Sequence, residues 1–441
     1  MFKQILWPVL VPSVLVNIGL GAVVPVLVLA ALSVGATQAF AAIIVGLAGA
    51  VSLAGTVPAG ILIDRLGDLR AMLAATGAAI VVTAATVFAL AADQPWSLAV
   101  YTLSIMARAP INDVWTLARQ AYVADTVEPR HVSRAMTALG GSMRVGNLVG
   151  PMLSAGLLLV FPIWTVFVFS ALAALAAVIV MSLPIGRATP RARGPVAGAP
   201  ASETAPQRPT GPAAADTAAG GSAAGSPAES SPHSHGPRIR DLDVRWDSVW
   251  LAGIGIATLT VARAGQPIIV QLWGVHIGLH ESAISLLIAL GAALELIIMF
   301  LGAYLKDQLG RTTTLITCLA VFGAGFLIMV LLPTGGGLIA AAIVMALGNG
   351  LGAGINLTVG ADLSPEAGRA RFLGVWALFN NLGKLGGPSL ISVLIAASGI
   401  RFGILATGVT AVAGAAWVLV WRRRIGLPGR QRRIGTPPTD Q

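Results

Sequence analysis

A short charged turn occurs twice in this chain, each time between two long apolar stretches. The first copy is Gly60-Ile-Leu62-Ile-Asp64-Arg65-Leu-Gly67, and the second is Ala303-Tyr-Leu305-Lys-Asp307-Gln308-Leu-Gly310-Arg311. A second pair of segments keeps nearly the same offset. Tyr122-Val-Ala-Asp125 with Gly146-xxx-Gly150-Pro151 is echoed by Gly360-Ala-Asp362 with Gly383-xxx-Gly387-Pro388. One plan written twice demands two similar folded units. In a chain this apolar, that means a duplicated membrane protein, an arrangement typical of transporters.

The 441 residues are 56% hydrophobic and only 10% charged, with mean hydropathy +0.83. Soluble domains carry about 25% charged residues, so the implied solvent is the lipid bilayer. A span needs about 20 mostly apolar residues. Twelve stretches qualify, at roughly 5–32, 37–63, 71–92, 96–118, 137–160, 162–184, 246–275, 282–305, 312–332, 335–360, 372–396 and 399–421. Backbone groups in hydrocarbon must pair within their own segment, so each stretch is expected to be a helix. The expected fold is an all-α membrane protein of twelve transmembrane helices in two pseudo-symmetric six-helix bundles. Residues 1–187 form the first bundle and 246–421 the second. A cytoplasmic linker, 188–245, joins them, and a basic cytoplasmic tail, 422–441, follows.

The formal charge of +10 raises the question of nucleic acid, and its placement answers it. With the N-terminus in the cytoplasm, most of the 28 Lys and Arg residues fall in cytoplasmic turns, tails or the linker. Arg108, Arg144, Arg263 and Lys384 fall within spans, and only Arg401 is external. That asymmetry is the positive-inside pattern, which places both termini in the cytoplasm. The tail from Arg422-Arg423-Arg424 to Arg432-Arg433 suits anionic lipid at the membrane surface rather than nucleic acid. The first apolar stretch is too long for a removable signal peptide and is taken as the first helix. The single cysteine, Cys318, excludes an internal disulfide.

The linker is rich in Ala, Pro, Gly and Ser and cannot bury enough surface to order itself. His233 and His235 within it are too few to make a metal site. Gly348-x-Gly350 superficially evokes a nucleotide loop, but no strand precedes it. Asn356-Leu-Thr358 matches a glycosylation acceptor but lies inside a span. Gly46, Gly49 and Gly55, and the run Gly348 to Gly354, suit close helix packing. Neither a nucleophile–base arrangement nor a metal-ligand cluster is visible, so no cofactor, no metal and no enzymatic chemistry are expected.

The first charged turn resembles the signature of the major facilitator superfamily, Gly-x-Leu-x-Asp-Arg-x-Gly followed by basic residues. Gly60, Leu62, Asp64, Arg65 and Gly67 match it, while Asp68 stands where a basic residue is usual. The resemblance implies a conformational gate. Gly60 lets helix 2 approach a neighbour, Asp64 sits at the N-terminal end of helix 11 near residues 371–374, and Arg70 takes over pairing with Asp125. Asp307, Gly310 and Arg311 repeat the gate in the second half. Asn17-Ile-Gly19-Leu-Gly21-Ala-Val-Val-Pro25 is similar to the family's first-helix pattern, with Val28 in place of a later Pro. Helix 5, with Gly146, Gly150 and Pro151, resembles the antiporter signature, Ala155 standing where a Gly is usual. Twelve-span drug:proton antiporters share these patterns, which implies export of amphipathic small molecules.

Ionised side chains at bilayer centre cost about 2.5–3.5 kcal/mol on insertion scales, so those present default to function. Arg108 occupies the place of the family's helix-4 arginine, associated with proton coupling. Arg108, Asn112, Trp115 and Arg119 share one helical face, whereas Asp113 points about 140° away from Arg108, toward a neighbouring helix. Glu295 lies about 18 Å along the helix from the Asp307 turn, near mid-membrane. A carboxyl group at such a site can gain and lose a proton within a transport cycle. Glu295 is the favoured proton carrier and Asp113 the other; a static ion pair of Glu295 with Lys384 or Arg263 is the competing reading. Arg144 suits an interface pairing role. Asn17, Asn112, Trp115, Arg263, Gln266, Asn380 and Lys384 are the candidates to line a substrate cavity.

The expectation is therefore a monomeric, multi-pass protein of the cell's inner membrane. It exchanges a small-molecule substrate for protons by alternating access and makes no use of nucleic acid. A proton symporter or facilitator for a polar or anionic metabolite is the alternative, with Arg108, Arg263 and Lys384 as anion ligands. A non-transporting receptor or scaffold is a third class.

Overall fold

The computed structural model describes residues 5–183, 244–365 and 369–427. Among them are twelve long helices, numbered here in chain order. The first half holds α1 (Leu6–Ser33), α2 (Gln38–Leu66), α3 (Asp68–Ala92), α4 (Ser97–Thr126), α5 (Pro129–Leu157) and α6 (Trp164–Ser182). The second holds α7 (Trp246–His276), α8 (Glu281–Leu309), α9 (Arg311–Leu331), α10 (Gly335–Leu363), α11 (Arg369–Ser398) and α12 (Ile400–Ile425). Nine of these contain an apolar stretch fit to cross a membrane by length and composition. The other three, α4, α5 and α11, are diluted by charge, including Arg108, Asp113, Arg144 and Lys384.

Packing repeats as the sequence does. In the first half α1 packs on α5 and α6, α4 on α2 and α3, and α3 on α6. Adding six to each number gives the second half: α7 on α11 and α12, α10 on α8 and α9, α9 on α12. The seams between halves obey the same rule, α2 against α11 and α8 against α5. An even number of crossings returns the chain to its starting face, so the start of α1 and the end of α12 share one side, called here the terminal face. The opposite side is the distal face.

The repeated charged turn is also a repeated backbone. Gly67 ends α2 at φ 79°, ψ 156°, and Gly310 ends α8 at φ 84°, ψ 157°. Only glycine enters that region without strain, and it reverses the chain in one residue. Small residues set the approach of the innermost helices. A Cβ on Gly146 would lie 2.3 Å from the Asn17 carbonyl oxygen, and one on Gly150 would lie 2.4 Å from the Ala22 nitrogen. The helix-1 and helix-5 patterns therefore meet backbone to backbone. Gly383 and Gly387 of α11 are pressed in the same way on Ala257 and Val261 of α7, with clearances of 2.7 and 2.8 Å to their carbonyl oxygens. Gly46 and Gly55 pack closely, on Ser389 and Pro110, but Gly49 faces open space and does not serve the packing expected of it.

Some helix ends run well past the expected boundaries, α4 to Thr126 and α5 back to Pro129, because polar residues also extend a helix beyond hydrocarbon, while α6 falls short of its expected stretch at both ends. The Arg422-Arg423-Arg424 triplet forms the last turn of α12 rather than a tail, where cations complement the helix dipole. Arg424 lies over the Trp421 ring at 4.9 Å. Residues 184–243 and 428–441 fall outside the described residues; they take in all but the last two positions of the linker, 188–245, most of the tail, and the histidines at 233 and 235.

Candidate functional site

Three cavities that share lining residues lie between and beside the halves. The central one, about 330 Å³, is walled by Gly21, Val24, Asn147 and Pro151 from the first half and by Arg263, Gln266, Gly291, Glu295 and Asn349 from the second. A second, about 350 Å³, lies against α1, α4 and α5 and shares Gly21, Val24 and Asn147 with it. A third, about 300 Å³, lies within the second half toward the terminal face and shares Arg263. Carboxamides recur along all three: Asn17, Asn112 and Asn147, then Gln266, Asn349, Asn356 and Asn380. An amide donates and accepts at once, so such a wall solvates a polar solute without committing to one charge.

Glu295 faces the central cavity from α8. It has no hydrogen bond and no ion pair within 4.0 Å among the described residues. The cations acting on it are Arg263 of α7 and Arg144 of α5, so both halves contribute to its field. The static ion pair considered from the sequence is not formed. Arg263 instead donates Nη2 to the Asn349 carbonyl at 3.3 Å and leaves its buried Nε without a partner. The geometry of α10 makes this possible. The helix breaks at Gly352, where a Cβ would lie 2.4 Å from Arg263 Nη2, and restarts after Gly354 at φ 77°. Gln266 accepts a 2.8 Å bond from Asn349, tying α7 to α10.

In the first half, Arg108 bridges three helices. It donates to Thr83 of α3 and, at 3.3 Å, to Ser170 of α6, while its other side lines the second cavity. Asp113 points away from it and accepts a 2.5 Å bond from Ser52 of α2, with the charge of Lys384 of α11 acting on it. Asn17 spends its donors on Ser13 and Ser142. Asn112 lines the second cavity; Asn380, accepting from Thr260, lines the third beside Lys384. Trp115 does not reach the large cavities. It borders a void of about 20 Å³ inside the first half, room for a single water, and lies 4.5 Å under the Arg119 guanidinium.

Of the gate residues, Asp64, Arg65 and Arg70 are exposed on the terminal face, with Gly60 nearby and Asp125 half-buried. No described atom lies within 4 Å of where a Gly60 Cβ would stand, so Gly60 makes no close approach to a described neighbour. Arg70 forms no ion pair with Asp125 within 4.0 Å. The second half shows why: there Arg311 pairs with Asp362 at 2.7 Å. Arg311 directly follows the turn glycine, and the position directly after Gly67 is Asp68. In the second half the residue adjacent to the turn thus reaches the end of the fourth helix, whereas Arg70 lies two positions further along α3 than the residue after Gly67. The side chains of Asp307 and of residue 371, the first of the stretch 371–374 near which Asp64 was expected to sit, lie outside the described side chains.

On the distal face the halves are bonded directly. Gln271 of α7 donates to the Val24 carbonyl at 3.1 Å and accepts from the Val28 N–H at 3.0 Å, and Ser392 of α11 donates to the Ala39 carbonyl at 2.7 Å. Sequence reasoning missed Gln271, Asn147, Asn349 and Asn356. The amide content of the spans was the available signal, since each costs free energy in hydrocarbon unless paired.

The model of the Major Facilitator Superfamily matches residues 9–258 and 248–438. The chain belongs to the major facilitator superfamily. Its fold is that of solved transporters of the superfamily. A POT family transporter in complex with 5-aminolevulinic acid superposes with TM-score 0.71 at 12% identity, over 95% of this chain and 96% of that one. A bacterial homolog of the human lysosomal transporter Spinster, inward-facing and unoccupied, gives 0.70 at 15% identity over 96% and 98%. A D-xylose-proton symporter gives 0.65 at 10% identity over 93% and 96%. No curated protein sequence matches this major facilitator chain. It is a multi-pass membrane transporter by family, and identity this low carries the fold alone.

Proposed function

We propose that the protein is a proton-coupled secondary transporter of a small amphipathic solute bearing an acidic or strongly hydrogen-bonding group, working by alternating access. The observation that carries this reading is the unpaired Glu295 carboxyl in the central cavity, under the field of Arg263 and Arg144. Protonating Glu295 removes a negative charge from beside two arginines and leaves a site more favourable to an anion. Proton and anion then favour each other's binding, and the coupling is reciprocal. An anionic solute is accordingly carried with protons. Amides would hold its polar end, and Leu20, Val23, Leu27, Ile105 and Met143 would take its apolar part. Both chain ends lie in the cytoplasm of a cell whose inner membrane holds the protein, on the distribution of Lys and Arg.

A second reading, export in exchange for protons, draws on the close backbone contact between the α1 and α5 patterns and on the apolar wall of the second cavity. It applies to a cationic or neutral amphipath, which would compete with the proton for Glu295. One experiment separates the two. Protein in proteoliposomes with an imposed pH gradient is offered labelled organic acids, sugars and amphipathic cations, preselected by thermal shift. Accumulation of an acid on the alkaline side supports the first reading. Accumulation of a cation on the acidic side supports the second, and transport indifferent to the gradient sinks both.

A further inference from the structure

The distal bonds of Gln271 have a particular form. Val24 C=O and Val28 N–H are the two ends of one rung of an α-helix, the carbonyl of residue i and the amide of i+4. In α1 that rung spans Pro25, where the helix narrows to a 3₁₀ turn over Val24–Val26 and Val26 takes φ −110°, ψ −3°. The Gln271 carboxamide stands in the gap, its N–H on Val24 and its oxygen on Val28. A side-chain amide from one half thus replaces a peptide rung in the other. Gln271 is 1% exposed, and its nitrogen also donates to the Pro267 carbonyl of its own helix at 2.9 Å.

We infer that Gln271 is the latch of the distal gate, and that the interrupted α1 rung is what lets it release. When the halves part on this face, Val24 and Val28 can bond each other, so neither backbone group is stranded in hydrocarbon in either state. Gln271 keeps Pro267 and turns its remaining capacity to the entering water. Two arrangements, each fully bonded, form a switch with no costly intermediate. Val24 also lines the central and second cavities, so its carbonyl belongs to the latch while its side chain meets the solute. Only a carboxamide of this length spans both groups. A carboxylate lacks the donor, and asparagine is one methylene short.

This inference rests on the alternating access proposed above, and the test keeps the two apart. In a Cys318→Ser background, Val270→Cys reports the distal face and Ala264→Cys the terminal face. Val270 lines the central cavity beside the latch, and Ala264 lines the third cavity. A membrane-impermeant maleimide is applied from each side of oriented vesicles. With Gln271 present, opposite responses of the two cysteines to a pH gradient establish alternation. A parent chain labelled from one face alone under every gradient removes alternating access, and the latch with it. Given alternation, Gln271→Leu should raise distal labelling of Val270→Cys about tenfold and lower terminal labelling of Ala264→Cys, the scale of one or two lost hydrogen bonds. Gln271→Asn keeps the polarity and guards against misfolding; it should act in the same direction. Labelling unchanged in both variants overturns the latch.

Discussion

Glu295 and Arg263 line one cavity without pairing. Their charged groups stand more than 4.0 Å apart, with Arg263 turned to the Asn349 carbonyl and Glu295 left to the cavity. A closed ion pair would make both groups structural. In the proposed cycle, separation leaves the carboxyl to exchange a proton and the guanidinium to receive a solute.

Replacing Glu295 by Gln is therefore expected to abolish uphill, proton-driven accumulation while solute exchange at equal pH persists. Counterflow and gradient-driven uptake, measured on the same proteoliposomes, give the comparison. Unchanged accumulation would retire Glu295 as the coupling group.

Arg263→Lys should raise KM about tenfold, equivalent to about 1.4 kcal/mol, with a far smaller effect on the maximal rate. Lysine keeps the charge but loses the fork that reaches the Asn349 carbonyl and the cavity together. Gly352→Ala tests the same geometry from the other side, since its Cβ would lie 2.4 Å from Arg263 Nη2. Both variants should shift KM in the same sense in initial-rate assays.

Gly146→Ala and Gly150→Ala should each destabilise the folded protein by about 1–3 kcal/mol or more, because the clash is with α1 backbone that has no room to move. Gly383→Ala should behave alike through Ala257 and Thr260. Gly49→Ala meets nothing and should be neutral or slightly stabilising. Melting temperatures in one detergent rank the four. Equal losses at Gly49 and Gly146 would contradict the packing.

The Arg311–Asp362 pair, with side chains 20% and 17% exposed, should show a coupling of about 1 kcal/mol in a double-mutant cycle on melting. Additive effects of Arg311→Ala and Asp362→Asn would mean that the two charges act independently.

What the linear chain decides here is the architecture. Apolar stretches long enough to cross a bilayer can satisfy their backbones only as helices, and a turn written twice makes two equivalent bundles; both follow without reference to any contact. Gly67 and Gly310 illustrate it, since their role depends on local backbone alone. Partnership between distant side chains is a different kind of fact. Arg70 carries the right charge for Asp125 and does not pair with it, Trp115 shares a helical face with Arg108 and borders a void inside the first bundle, and Gln271 looks like any amide on α7. Each depends on rotation and translation of one helix against another, which residue type and spacing leave free. Only packing, through clearances of the kind seen at Gly146 and Gly387, sets those rigid-body positions, and with them which polar groups meet.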